Sequence, residues 1–279
     1  MLPDERILTF EGEAGRLCGI LAVPAAGKPR AAAVLIHGWG GYRIGAGRGF
    51  VEIARSLAEA RVASLRFDLR CRGDSAGSAG EEDLDGMISD AERAARILRE
   101  STGLERIALL GICSGGNVAI GAGSRGPELS PLALVSTLPF ADSSGAAAGR
   151  RRRAIAGKLR KLALRETWRK LLRGEIYFDL LWRRVAGAEG SDRAARGRKD
   201  SRRNVMADFA RYRGRAVFIY GGDDGAAALA REHYGRFCAE SSVDSEFVEI
   251  PGATHEFSSA QAKRRLAEEV IRILREGDG

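Results

Sequence analysis

Four cysteines occur in 279 residues, and none belongs to a CxxC pair or stands at a zinc-ligand spacing from a histidine. Cys18, Cys71, Cys113 and Cys238 thus suggest neither a disulfide framework nor a metal site, and apart from Cys113 they read as reduced packing residues. Histidine is scarcer, with only His37, His233 and His255 available for proton transfer. No apolar run approaches the roughly 18 residues that a membrane-crossing helix needs. The opening residues, MLPDERILTF, carry acids where a secretory leader needs a basic and then an apolar stretch. A cytoplasmic location is therefore expected.

What the chain does have is an ordinary globular composition, 44% hydrophobic, long enough for one doubly wound core plus an insertion. Short apolar strands alternate with amphipathic helices. An N-terminal hairpin (6–11 and 16–23) leads to strands at 31–37, 63–68, 107–110, 132–137, 216–220 and 246–250. Helices are expected at 49–60, 84–100, 117–122, 226–239 and 258–275. This alternation predicts an α/β fold, a doubly wound and mostly parallel sheet covered on both faces, with ligands beyond the carboxyl ends of its strands. Residues 1–140 and 207–279 form that core. Residues 141–206 are an insert with two amphipathic stretches, Ile155 to Leu172 and Ile176 to Val185.

The sharpest local pattern is ALLGICSGG, 108–116, a strand that runs through a tight turn into a helix. In the frame Gly111-Ile112-Cys113-Ser114-Gly115 the residues two before and two after Cys113 are glycines, as a sharp nucleophile-bearing bend requires. The neighbouring frame would make Ser114 the nucleophile, but it puts the β-branched Ile112 where no side chain fits. Upstream, AAAVLIHGWGG (31–41) reads as a buried strand that stops in a glycine-rich loop. Glycines there let a backbone N–H approach a developing oxyanion. Trp39 N–H and Ser114 N–H are the candidate oxyanion donors, and His37 reads as a loop-packing residue.

Downstream, RAVFIYGGDDG (215–225) and FVEIPGATHEFS (247–258) are strands that run into turns bearing a carboxylate and an imidazole. Asp224 best fits the acid by its spacing from the strand, with Asp223 as the alternative, and His255 fits the base. His233 lies in a helical stretch, where a surface or packing role is expected.

Taken together, HGWGG, LRFDLRCRGDSAG (65–77), GICSGG, YGGDD and IPGATHEF resemble the α/β-hydrolase superfamily over most of the chain outside the insert. A cysteine in the elbow is similar to the pattern of dienelactone hydrolases and to the Gly-x-Cys-x-Gly box of bacterial polyester synthases. The resemblance implies a helical cap at 141–206, loop-ordering roles for Asp68, Arg72, Gly73 and Asp74, and a position for Cys71 near the active-site face. It also implies hydrolysis of a carboxylic ester or thioester through an acyl-cysteine, with Cys113, His255 and Asp224 as the triad and no metal or organic cofactor. An acyltransferase using the same triad, or a non-catalytic ligand-binding or membrane-surface module of the same fold, are the alternatives.

The net charge of +8 is uneven, because 22 of the 45 basic residues but only 8 of the 37 acids lie between 141 and 216. A basic cap of this kind suits a small acyl substrate that carries negative charge, drawn in by its field. The same charge could instead rest on an anionic membrane surface, and a solvated arginine-rich face is favoured over both of these roles. No recognition motif accompanies the charge, so nucleic acid is not expected as a partner. Trp168, Tyr177 and Trp182 supply part of an apolar face that could line an acyl pocket.

Overall fold

The computed structural model describes residues 3–78, 82–139, 201 and 203–276. Strands β1 (Asp4–Gly12) and β2 (Gly15–Val23) form the antiparallel hairpin at one edge of an eight-stranded sheet. β3 (Ala31–Ile36), β4 (Val62–Phe67), β5 (Ala108–Ile112), β6 (Leu132–Val135), β7 (Ala216–Gly221) and β8 (Ser245–Ile250) complete it in the order β1-β2-β4-β3-β5-β6-β7-β8. β4 meets β2 antiparallel, and the pairs from β4 through β8 are parallel. After β3 the chain crosses to β4 on one side, and later to β5 on the other. The carboxyl ends of β3 and β5 therefore flank a switch point, where a crevice opens in such sheets.

The period-2 geometry of a strand sorts the apolar run of β3 onto two faces. Ala32, Val34 and Ile36 pack with helices α2 (Leu84–Thr102), α3 (Ser114–Gly123) and α5 (Ala227–Ser241). Ala33 and Leu35 pack with α1 (Gly49–Glu59) and α6 (Ala260–Glu276). Helix periodicity supplies the other half of each contact. In α1 the buried residues Phe50, Ile53, Ala54 and Leu57 recur every three or four positions, as do Ala262, Leu266, Val270 and Ile273 in α6. Each large side chain buried this way contributes about 1.5–3 kcal/mol relative to exposure. Local signals set the limits of α2, where the Asp83 carboxylate accepts the Gly86 N–H at 2.7 Å and Gly103 ends the helix at φ 71°.

The expected sheet and its helices are present with ends moved by a few residues, and α3 begins at Ser114, three residues ahead of the expected start. A short helix, α4 (Val205–Phe209), was not expected. Asn204 caps it, and it crosses the expected core boundary at 206 while burying Val205 and Phe209 in the core. The amphipathic stretches expected at 155–172 and 176–185 lie outside the described residues. Among the described residues no helix is long and apolar enough to cross a membrane.

Candidate active site

β5 leaves the sheet at Ile112, and the chain turns on Cys113, whose φ of 56° and ψ of −122° lie far from the strand and helix on either side. A side chain held at positive φ is strained, and the surroundings must impose it. They do so through glycine. A Cβ on Gly111 would collide with the backbone of Gly115, and one on Gly115 with the carbonyl oxygens of Ile36 and His37. The bend falls on Cys113 and not on Ser114, which is already the first residue of α3.

Two later strand ends deliver the acid and the imidazole. Asp224 follows β7 with its side chain buried, and its carboxylate accepts the Ala226 N–H at 3.0 Å and lies 2.8 Å from His255 Nδ1. Asp223, the alternative acid, is exposed. With Nδ1 committed to Asp224, the far edge of the ring serves the sulfur. Hydrogen bonding to Cys113 is the largest cause raising His255 to about 9, assisted by Asp224 against the opposing effect of burial. The same contact draws the Cys113 thiol below its ordinary value, overcoming burial, and the backbone and hydroxyl of Ser114 add to the effect. Both shifts favour a thiolate beside an imidazolium, the reactive form of a cysteine nucleophile. Burial alone pushes the Asp224 carboxyl up, but the Ala226 N–H and His255 outweigh it and hold the group below its ordinary range. His233 lies elsewhere, exposed on α5 with its ring edge against Tyr234.

The loop after β3 faces the elbow. His37 is buried and acts as a brace, accepting the Leu69 N–H at Nε2 (3.1 Å) and placing Nδ1 2.8 Å from Gly38 O. Burial is the main cause lowering its pKa, which suits a neutral ring that accepts on one nitrogen and donates from the other. The Trp39 N–H, expected as an oxyanion donor, reaches the elbow and donates to Ser114 Oγ at 2.6 Å. Arg72 holds the next peptide by donating to Trp39 O at 2.7 Å, with its guanidinium over the indole. The fully buried Asp68 carboxylate accepts the backbone N–H groups of Arg43 (2.7 Å) and Asp74 (3.0 Å) and pairs with the Arg43 guanidinium. Gly73 passes so close at φ 51° that a Cβ there would collide with the Asp68 carboxylate. Cys71 also takes positive φ, 61°, and its thiol donates to Ser78 O at 3.2 Å.

A cavity of about 680 Å³ opens between the two loops, lined by Cys113, His255, Trp39 and the apolar side chains of Phe50, Met87, Val118, Leu138 and Phe257. Two of the residues that fix the loop after β3 had no local signal in the sequence. Arg43 is 25 residues from Asp68, and nothing along the chain marks it as the cation that this buried carboxylate needs. Lys263 reaches the cavity from α6, is mostly buried, and donates to Gly47 O at 2.5 Å and to Glu52 at 3.1 Å, tying the loop to two helices. Among the described residues no group of three or more His, Cys, Asp and Glu side chains is placed to hold a metal ion.

A family model described as the alpha/beta hydrolase family matches residues 33–269. The chain belongs to the alpha/beta hydrolase family. That membership meets the expectation of a hydrolase of this superfamily drawn from the strand-end motifs. Comparison with curated protein sequences gives no match. Among solved structures, a dienelactone hydrolase from Anabaena variabilis is similar at a TM-score of 0.63 and 15% identity, with 99% of each chain covered. The esterase Pf2001 of Pyrococcus furiosus is similar at 0.66 and 17% identity, covering 99% of this chain and 92% of its own. An alpha-beta serine hydrolase homologue from Coxiella burnetii is similar at 0.63 and 15% identity, covering 96% of both. At such identities the likeness is one of fold. Against that background, this alpha/beta hydrolase has a sulfur at the elbow.

Proposed function

We propose that the protein hydrolyses a carboxylic ester or thioester through a covalent intermediate on Cys113. The observation that carries this reading is the constellation at three strand ends: a cysteine held at positive φ, its sulfur in contact with His255, and His255 held at 2.8 Å by Asp224. The Cys113 thiolate attacks the acyl carbon, the carbonyl π electrons move to oxygen, and a tetrahedral oxyanion forms. Trp39 N–H and Ser114 N–H are the donors offered to it, and one such donor is worth on the order of 3 kcal/mol in barrier. Collapse expels the alcohol or thiol, which takes a proton from the His255 imidazolium. The neutral imidazole then deprotonates a water, whose oxygen attacks the acyl-sulfur carbon. The carboxylic acid leaves and Cys113 is again a thiolate. Asp224 keeps the proton on Nδ1 and stabilises the imidazolium.

The names of similar structures, a dienelactone hydrolase and an esterase, support ester chemistry. The largely apolar cavity supports an acyl group as ligand. A reducing compartment suits a thiolate nucleophile, so a cytoplasmic setting belongs to the same proposal. The deciding experiment incubates the protein with p-nitrophenyl esters of graded chain length, lactones and acyl thioesters and reads the peptide containing Cys113 by mass spectrometry. An acyl adduct there, with turnover lost by a factor on the order of 10⁴ in Cys113→Ala, is expected. Turnover that survives the substitution overturns the proposal. Product analysis with an added alcohol or amine reports whether water is the true acceptor.

A further inference from the structure

The oxyanion donor on the loop after β3 already has an acceptor. Trp39 N–H donates to Ser114 Oγ at 2.6 Å, so that hydroxyl oxygen occupies a position from which an acyl oxygen would accept the same hydrogen. The loop cannot easily turn the donor elsewhere. Gly38 O is bound by the Gly41 N–H at 2.9 Å and approached by His37 Nδ1 at 2.8 Å, while Trp39 O is held by Arg72 at 2.7 Å. A Cβ on Gly38 would stand only 3.3–3.5 Å from Ile112 O, Cys113 Cβ and Ser114 Oγ, so loop and elbow are in close contact. The mobile partner is Ser114, a half-buried residue with one side-chain torsion at the first position of α3.

We propose that the Ser114 hydroxyl is the resting occupant of the oxyanion pocket, a competitor built into the chain that must rotate away before an acyl carbonyl can be held by Trp39 N–H. This rests on the acyl-Cys113 reading and adds to it a residue that sets affinity for every acyl ligand. When a carbonyl enters, one hydrogen bond to Trp39 is exchanged for another, and the displaced hydroxyl loses a partner in a partly apolar cavity. When the carboxylic acid product leaves, the hydroxyl returns and closes the donor against it. Ser114 therefore weakens the binding of substrate and product together, and its removal tightens both. In the resting state the Ser114 hydroxyl also adds to the effects that hold the Cys113 thiol below its ordinary value.

The test uses n-butyraldehyde as a reversible inhibitor of p-nitrophenyl butyrate hydrolysis by the full chain. The Cys113 thiol adds across the aldehyde carbonyl, so that an S–C bond forms, the π bond opens, and the thiol proton reaches the new oxygen through His255. Ser114→Ala is expected to bind the aldehyde about 2- to 10-fold more tightly, the net worth of one hydrogen bond, and to be inhibited by butyrate at correspondingly lower concentration. Ser114→Gly should repeat the gain, and Ser114→Thr, which keeps the hydroxyl, should not. Equal or weaker aldehyde binding in both Ser114→Ala and Ser114→Gly overturns the proposal while Cys113-dependent turnover remains. Absence of turnover, or turnover that persists in Cys113→Ala, brings down the acyl-Cys113 reading and this inference with it.

Discussion

The two loops that face each other across Cys113 are held by different forces. The elbow is shaped by steric exclusion, with Gly111 and Gly115 packed so closely against backbone that any side chain would push strand and helix apart. The loop carrying Trp39 is shaped by charge and hydrogen bonding, through the Asp68 pair with Arg43, the Arg72 bond to Trp39 O and the His37 brace. A bend fixed by packing is insensitive to salt and pH and intolerant of volume. A loop fixed by partly buried charges has the opposite sensitivities.

Volume added to the elbow provides the strongest contrast. Gly115→Ala should destabilise the chain by more than about 4 kcal/mol or prevent folding, seen as a large fall in melting temperature, because the blocking atoms are backbone oxygens that cannot move aside. Retention of the parent melting temperature would show the elbow to be looser than its contacts imply. Next in size is Asp68→Ala, which leaves the Arg43 guanidinium without its buried partner and two backbone N–H groups without an acceptor. A loss of about 3 kcal/mol is expected in thermal or denaturant unfolding. Turnover should drop further than the folded fraction does, since the loop that presents Trp39 is loosened.

A smaller effect tests positioning. Arg72→Met keeps much of the apolar stem but removes the donor to Trp39 O. It should lower kcat of the folded protein about 10-fold with little change in KM, while loss of the 3.0 Å bond to the buried Glu82 lowers the melting temperature, and Arg72→Lys should recover part of both losses. An unchanged kcat would mean that His37 and the Asp68 cluster hold the loop by themselves.

The least disruptive probe is pH. Alkylation of Cys113 by iodoacetamide should titrate below the ordinary thiol range, and in His255→Ala its midpoint should rise, because the largest lowering influence is gone and only the Ser114 backbone and hydroxyl remain to oppose burial. Stability should respond far less, for a reason of sign. Taken alone, His255, raised to about 9, contributes stability that is complete below 6.5 and lost as pH rises through about 9. The lowered Cys113 has the opposite slope, contributing less as pH falls from its ordinary value of 9.0 through its folded value. One proton is bound by the pair in both folded and unfolded chains across the shared window, so melting temperature is expected to stay nearly flat there and alkylation to sit on its thiolate plateau, falling only below the window. A steep change in melting temperature over that window would contradict a thiolate and imidazolium pair.

The same contrast accounts for what could be read in advance. Alternating apolar residues in β3 and the three-and-four spacing in α1 and α6 carry their own partners' positions implicitly, so the layered fold follows from periodicity. Glycine at 111 and 115 marks a sharp bend because no other residue survives the approach. Asp224 stood out over Asp223 by its spacing from β7, and the structure brings Asp224 to His255 and leaves Asp223 exposed. Arg43 and Lys263 carried no such mark, since an arginine or lysine near a glycine-rich loop or within an amphipathic helix has the composition of any solvated surface. The short helix α4 was also missed, because its few residues carry too little periodicity.

By itself, the amino-acid sequence determined the layered sheet, the place of the bend and the three strand ends that carry sulfur, imidazole and carboxylate, because each depends on local periodicity or on the exclusion of a side chain. Only the tertiary structure decided that Arg43 neutralises Asp68, that Arg72 fastens the loop of Trp39, and that the Ser114 hydroxyl takes up the Trp39 N–H. Those contacts join residues 25 to 75 positions apart, and hydrogen bonds at such separations depend on how the strands are ordered in space rather than on any pattern along the chain.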